Sequence, residues 1–166
     1  LEPECDAERI GMYGRSRGGM MTYLALTRTD RMRAAVIDAG SADLFDMAKT
    51  RPKLAKLYLD AARASEADAE AVFAERSAVR WPEKLNKNTP LLLLHGTGDW
   101  RVRPEEVFAM AQALYRTRHP FRLVLFEGGQ HNLEEHRAEA DRILIAWFHK
   151  YVRDREQWPA LEPHGK

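Results

Sequence analysis

Residues Leu91 to Leu94 are four consecutive leucines, followed by His95 and set between Asn86-Lys87-Asn88 on one side and Gly96 on the other. A strand with one solvated face alternates apolar and polar side chains. An unbroken apolar run bounded by loop residues is the pattern of a strand covered on both faces. Three further short stretches read as strands: Arg9 to Tyr13, Ala34 to Asp38 and Phe121 to Phe126. Longer stretches with helical spacing separate them. Arg17 to about Arg28 places Met20, Met21, Leu24 and Ala25 on one face. Pro104 opens a helix running to about Arg118, with Glu105 and Glu106 in its positive first turn. Glu134 to about Arg153 carries an apolar stripe at Ala140, Ile143, Leu144, Trp147, Phe148 and Tyr151. This alternation predicts an α/β fold, a three-layer α/β/α arrangement around a mostly parallel sheet.

The region from Leu44 to Trp81 breaks the simple alternation. Lys53 to Ala64 has helical spacing at Leu54, Leu57, Tyr58 and Ala61, and Ala67 to Val79 repeats it at Ala71, Val72 and Ala78. Ser65 with Asp68 forms a start resembling a capping box, and Trp81-Pro82 marks a loop. The chain has 166 residues, enough for one domain with a core of its own. Residues 1–155 are assigned to that domain, and residues 156–166, beginning near Trp158-Pro159, to a tail or surface strap. The chain starts at Leu1 and reaches a strand within about ten residues, which reads as a piece of a longer polypeptide.

A formal net charge of +1 provides no bulk field for nucleic acid or an anionic membrane, and the arginines are interspersed with acids. No apolar run is long enough to span a bilayer. Neither nucleic acid nor membrane is therefore expected as a partner. Cys5 is the only cysteine, which rules out an internal disulfide.

The chemistry is concentrated past the ends of the strands, where sites form in parallel sheets. Gly14-Arg15-Ser16-Arg17-Gly18 is a G-x-S-x-G sequence between a strand-like and a helix-like run. A serine on such a sharp turn presents its hydroxyl, while glycines keep side chains out of the crowded space beside it, and Gly18 and Gly19 permit close packing on the strand. Asp99 follows the third strand in His95-Gly96-Thr97-Gly98-Asp99, and His131 follows the fourth in Glu127-Gly128-Gly129-Gln130-His131. The order serine, acid, histidine is that of an α/β-hydrolase. Ser16 would be the nucleophile, His131 the base that activates it and later protonates the leaving group, and Asp99 the group that fixes the imidazole. The backbone N–H of Arg17 would be the first oxyanion donor. This chemistry needs no cofactor and no metal. A zinc site from His131, Glu134, Glu135 and His136 fails on spacing, because the two histidines are five apart rather than four, and His131 precedes the helix. A dinucleotide role lacks a G-x-G-x-x-G after a strand.

Three blocks carry a family resemblance that covers essentially the whole chain. The run from Ile10 to Tyr23, Ile-Gly-Met-Tyr-Gly-Arg-Ser-Arg-Gly-Gly-Met-Met-Thr-Tyr, resembles the nucleophile segment of the prolyl oligopeptidase family of serine peptidases. Leu94 to Val102 is similar to that family's acid segment, and Phe126 to His131 to its histidine segment. The resemblance implies Ser16, Asp99 and His131 as the triad. It also implies hydrolysis of peptide bonds in short peptides, often after proline or a small residue, with access limited by an N-terminal β-propeller. It begins near the family's fifth strand. This implies the C-terminal half of an α/β-hydrolase fold, a partner in the missing N-terminal part of the same protein, and little or no activity for the chain alone. Arg9 to Tyr13 would then border an absent strand and leave an open apolar edge.

Departures from the family pattern fall near the serine. The family often has an aromatic residue at Arg15 or Arg17; arginines there would either attract a substrate carboxylate or pair with surface acids. Dipeptidyl peptidases of the family place aromatics after the second strand to hold proline. Here that stretch is Asp43-Leu44-Phe45-Asp46-Met47. Leu44, Phe45, Met47 and Val102 would form either an apolar substrate pocket without a clear proline shape or simply core. The expected substrate is a short peptide or a small acyl compound. A carboxylesterase on the same fold and a non-catalytic remnant are the alternatives.

Overall fold

The computed structural model describes residues 5–162. Its single sheet contains β1 (Ile10–Arg15), β2 (Met32–Asp38), β3 (Leu91–Gly96) and β4 (Phe121–Phe126) in the spatial order β1-β2-β3-β4. Every pairing is parallel. The helices are α1 (Arg17–Leu26), α2 (Leu44–Thr50), α3 (Pro52–Ala62), α4 (Ala69–Arg76), α5 (Pro104–Arg116) and α6 (Arg137–Phe148).

The period of two along each strand builds the three layers. Ala35 and Ile37 of β2 and Leu91 and Leu93 of β3 face Tyr23 and Leu26 of α1 and Val107, Met110 and Leu114 of α5. Ala34, Val36, Leu92 and Leu94 face the other way, onto Ala140, Trp147 and Tyr151 near the C-terminus. All four leucines of β3 are buried completely, as the unbroken run requires. Each contributes about 1.5–3 kcal/mol relative to an exposed side chain.

A third cluster lies to one side. Met20 of α1 packs with Leu44 and Met47 of α2, Ala55 and Leu59 of α3, and Val72 and Phe73 of α4. This small helical layer covers the flank of the serine turn. Helix α2 is absent from the sequence expectation. It begins where the Asp43 side chain accepts the backbone N–H groups of Phe45 and Asp46 at 3.0 and 3.4 Å. The anticipated helix from Ala67 to Val79 is shorter and broken. Its capping box of Ser65 and Asp68 opens a 3-10 turn, and α4 stops at Arg76. There the Ser77 hydroxyl donates to Phe73 O at 2.7 Å and accepts the Leu44 N–H at 2.9 Å, so one side chain closes α4 and anchors the start of α2. The last helix is also divided. A 3-10 turn at Glu134–His136 leads into α6, and a π-helical turn at His149–Arg153 follows it. The full predicted stripe nevertheless packs on the sheet. Beyond it, Trp158 packs against the same cluster, and Leu161 O accepts Arg118 Nη1 at 2.7 Å.

Glu106 ties α5 to the loop after β2. Its companion Glu105 is exposed, but Glu106 is buried, and its Oε2 accepts Ser41 Oγ at 2.8 Å and the N–H groups of Ala42 and Asp43 at 3.0 Å each. Burial pushes its carboxyl up to about 7 from the ordinary 4.5, against the pull of those three hydrogen bonds. The folded value lies above the unfolded one. The favourable contribution of that shift is therefore complete below the ordinary value and lost as pH rises through the folded one. Glu106→Gln keeps an accepting oxygen without a charge. Urea unfolding at about pH 5 and pH 8 is expected to show the wild type losing up to about 3 kcal/mol relative to this variant across that interval.

Candidate active site

Ser16 stands between β1 and α1 with φ 57° and ψ −122°. A non-glycine residue in such a conformation stores on the order of 1–3 kcal/mol of backbone strain. The surroundings hold it there. Its N–H donates to Asp38 O at 2.9 Å, and its carbonyl accepts the N–H groups of Gly19 and Met20 at 2.9 and 3.2 Å. Gly14 is obligatory, since a Cβ there would overlap Gly18 O and Thr22 Oγ1. The two glycines after the serine differ. A Cβ on Gly19 would meet Gly40 Cα at 2.5 Å, whereas one on Gly18 would have nothing within 4 Å. Close packing at the head of α1 therefore belongs to Gly19 alone, a correction to the sequence expectation. The N–H of Arg17 is at the first position of α1, where a helix offers it no partner.

Asp99 and His131 meet because two loops touch backbone to backbone. A Cβ on Gly96 would collide with Gly129 O. Gly98 N–H donates to Gly129 O at 2.9 Å, and Thr97 Oγ1 accepts the Gly128 N–H at 2.8 Å. From this contact Asp99 Oδ2 reaches His131 Nδ1 at 2.7 Å. Asp99 Oδ1 accepts the N–H groups of Arg101 and Val102 at 2.8 and 3.1 Å. Burial pushes the Asp99 carboxyl up, but the His131 bond and those N–H groups outweigh it and hold the carboxyl below its ordinary range. A carboxylate on Nδ1 requires the proton there, which leaves Nε2 as the lone-pair nitrogen. The structure brings Asp99 and His131 into contact; Ser16 shares no hydrogen bond with either.

Two further residues were not singled out from the sequence. Asp38 ends β2 with a fully buried side chain. Its Oδ2 accepts Tyr13 Oη and Arg15 Nε at 2.9 Å each and Arg137 Nη1 at 3.3 Å, and Arg137 also reaches Asn132 O at 3.4 Å. The readable signal was a carboxylate closing an otherwise apolar strand, a position that demands a cation or hydrogen-bond donors. His95, at the end of β3, is also buried. Its Nε2–H donates to Val102 O at 2.9 Å beneath the Asp99 loop, and burial lowers its pKa.

Leu44, Met47 and Val102 are buried, the first two in the helical layer, and Phe45 is half-buried. Phe45 stands edge-on to Phe73 at 5.8 Å, under the Arg80 guanidinium at 3.9 Å. Among the described residues no group of three or more His, Cys, Asp or Glu side chains is placed to hold a metal ion, and no helix is long and apolar enough to cross a membrane.

A parallel sheet covered on both faces, with a strained serine turn after one strand and an acid–histidine pair after two others, is the α/β-hydrolase fold. More narrowly, the chain belongs to the prolyl oligopeptidase family, a family of serine peptidases, whose model matches residues 2–155. Over 158 residues it is 27% identical to the uncharacterized peptidase YuxL of Bacillus subtilis (strain 168), covering 91% of this chain and 23% of that protein. The acylaminoacyl peptidase of Pyrococcus horikoshii superposes with a TM-score of 0.81 at 22% identity over 97% of this chain and 27% of that one. A puromycin-hydrolyzing peptidase of Mycobacterium tuberculosis gives a TM-score of 0.75 at 28% identity over 97% of this chain and 23% of that one. The chain thus spans about a quarter of the length of these relatives.

The Asp38 network predicts a large effect from a small change. Asp38→Asn removes the negative charge between Arg15 and Arg137 while retaining the shape. Chemical denaturation is expected to show a loss of about 1–3 kcal/mol, because the buried acceptor loses its charge-assisted hydrogen bonds while the two arginines left behind remain partly open to solvent.

Proposed function

We propose that the chain carries the catalytic triad of a serine peptidase, with Ser16 as nucleophile, His131 as general base and acid, and Asp99 as the residue that orients His131. The supporting observation is the Asp99–His131 bond of 2.7 Å, formed beyond the same end of the sheet as the strained Ser16 turn.

In this reading His131 Nε2 takes the Ser16 proton as Oγ attacks the substrate carbonyl carbon. Asp99 keeps the second imidazole proton on Nδ1 and stabilises the imidazolium. The Arg17 N–H faces the developing oxyanion, a donor whose loss typically raises the barrier by about 3–4 kcal/mol. Collapse of the tetrahedral intermediate breaks the C–N bond. His131 returns its proton to the departing amine, and an acyl-enzyme remains on Ser16. Water then repeats the sequence and releases the acid. The substrate class is short peptides, with small acyl compounds as the alternative.

A fluorophosphonate probe applied to the full-length protein should label Ser16, as located by peptide mass spectrometry, and Ser16→Ala should abolish both labelling and hydrolysis of peptide anilides. Asp99→Asn should lower kcat by about 10⁴-fold, because the amide selects the wrong imidazole tautomer. Label on another residue, or hydrolysis that survives Ser16→Ala, refutes the assignment. Comparison of peptide anilides with matched esters separates peptidase from carboxylesterase.

A further inference from the structure

The arginines around the serine turn divide into two groups. Arg15 pairs with Asp38 at 2.9 Å, and Arg103 is held in a two-pronged bond to Asp46 at 3.0 Å. Arg17, Arg51 and Arg101 make no ion pair among the described residues.

Arg51 and Arg101 meet around Trp100, and Arg17 flanks the serine turn. Arg17 is next to Ser16 in the chain and exposed. Arg51, between α2 and α3, donates from Nη1 to Arg101 O at 3.2 Å. The Arg51 and Arg101 guanidinium carbons stand 5.6 and 5.5 Å from the ring centre of Trp100, which is 63% exposed. Trp100 and Arg101 share a cavity of about 370 Å³ with His131. An aromatic ring and a carbonyl fix these guanidiniums in place without neutralising them. The acids in the cavity, Glu134 and Glu135, belong to the His131 side and accept Asn132 Nδ2 at 3.2 Å and the Gln130 N–H at 2.7 Å.

We propose that Arg17, Arg51 and Arg101 form a carboxylate-recognition rim that selects substrates bearing a negative charge beside the scissile bond. The assignment of that bond to this rim rests on the reading of Ser16 as the nucleophile. A guanidinium with free N–H groups binds carboxylate in a two-pronged geometry that a neutral amide cannot match. The carboxylate has two sources, an acidic side chain or a peptide C-terminus.

Binding to the Ser16→Ala variant of the full-length protein, measured by calorimetry, separates them and needs no turnover. N-acetyl-Ala-Ala-Asp amide is compared with its Asn counterpart, and N-acetyl-Ala-Ala-Ala with a free carboxylate is compared with its amide. In at least one pair the acid should bind about tenfold more tightly, a gap that narrows as salt is raised and closes to within about twofold when Arg17→Gln and Arg51→Gln are added together. The pair that shows the gap names the source of the carboxylate. Arg101→Gln alone, at an exposed site outside every helix and strand, is the second variant and should reduce the same gap. Equal binding of acid and neutral forms, a gap that survives the substitutions, or no binding of any of the four at millimolar concentration overturns the proposal. Failure of fluorophosphonate labelling would instead refute the triad and leave this result standing.

Discussion

A carboxylate at the end of a buried strand must find positive charge or hydrogen-bond donors, and Asp38 finds three of them on two elements. Tyr13 and Arg15 come from β1, and Arg137 comes from the first turn of α6. The backbone of the same residue accepts the Ser16 N–H. One residue of β2 thus holds the serine turn through its main chain and joins the two flanking strand-end structures through its side chain. Arg137 extends the connection to Asn132 O, one residue past His131. Ser16 and His131 come from strands separated by β2 and β3, and Asp38 is the element that ties their loops together.

The Asp99–His131 pair depends on a different constraint. Strands β3 and β4 are neighbours about 4.8 Å apart, yet loops leaving neighbouring strands do not meet unless side chains are absent where they cross. Gly96 and Gly98 on one side and Gly129 on the other remove them, while Gly128 meets nothing and instead supplies the positive φ of 65° that turns its loop. Glycine here is a requirement of close approach, and the imidazole–carboxylate geometry follows from it.

Much of this was legible in the sequence. The four strands and their order along the chain followed from short runs lacking alternation, and β4 has the bounds the sequence suggested. The positions of Ser16, Asp99 and His131 past strand ends followed from the same reading. What was not legible depended on tertiary partners. Helix α2 is seven residues long and is fixed by Asp43 and Ser77, a cap and a contact 33 residues apart. Glu106 looked like a favourable first-turn acid, but the fold turns it inward to hold the Ser41–Asp43 loop. A sequence pattern does not reveal which of two adjacent glycines the neighbouring backbone presses against, and here it is Gly19 and not Gly18. Asp38 lay in plain view at the end of its strand; its three partners are 25, 23 and 99 residues away, beyond any local pattern.

The strained serine also divides its neighbours by environment. Arg15 is the last residue of β1, in register with Asp38, so its guanidinium meets a buried carboxylate. Two positions later, across a φ of 57°, Arg17 begins a helix and lies exposed. A regular strand would have kept both on the same face. The reversal at Ser16 places one arginine in the network around Asp38 and leaves the other exposed beside the serine. The residue type is the same at both positions, and the backbone conformation between them determines that one is paired with a buried carboxylate and the other is exposed without an ion pair among the described residues.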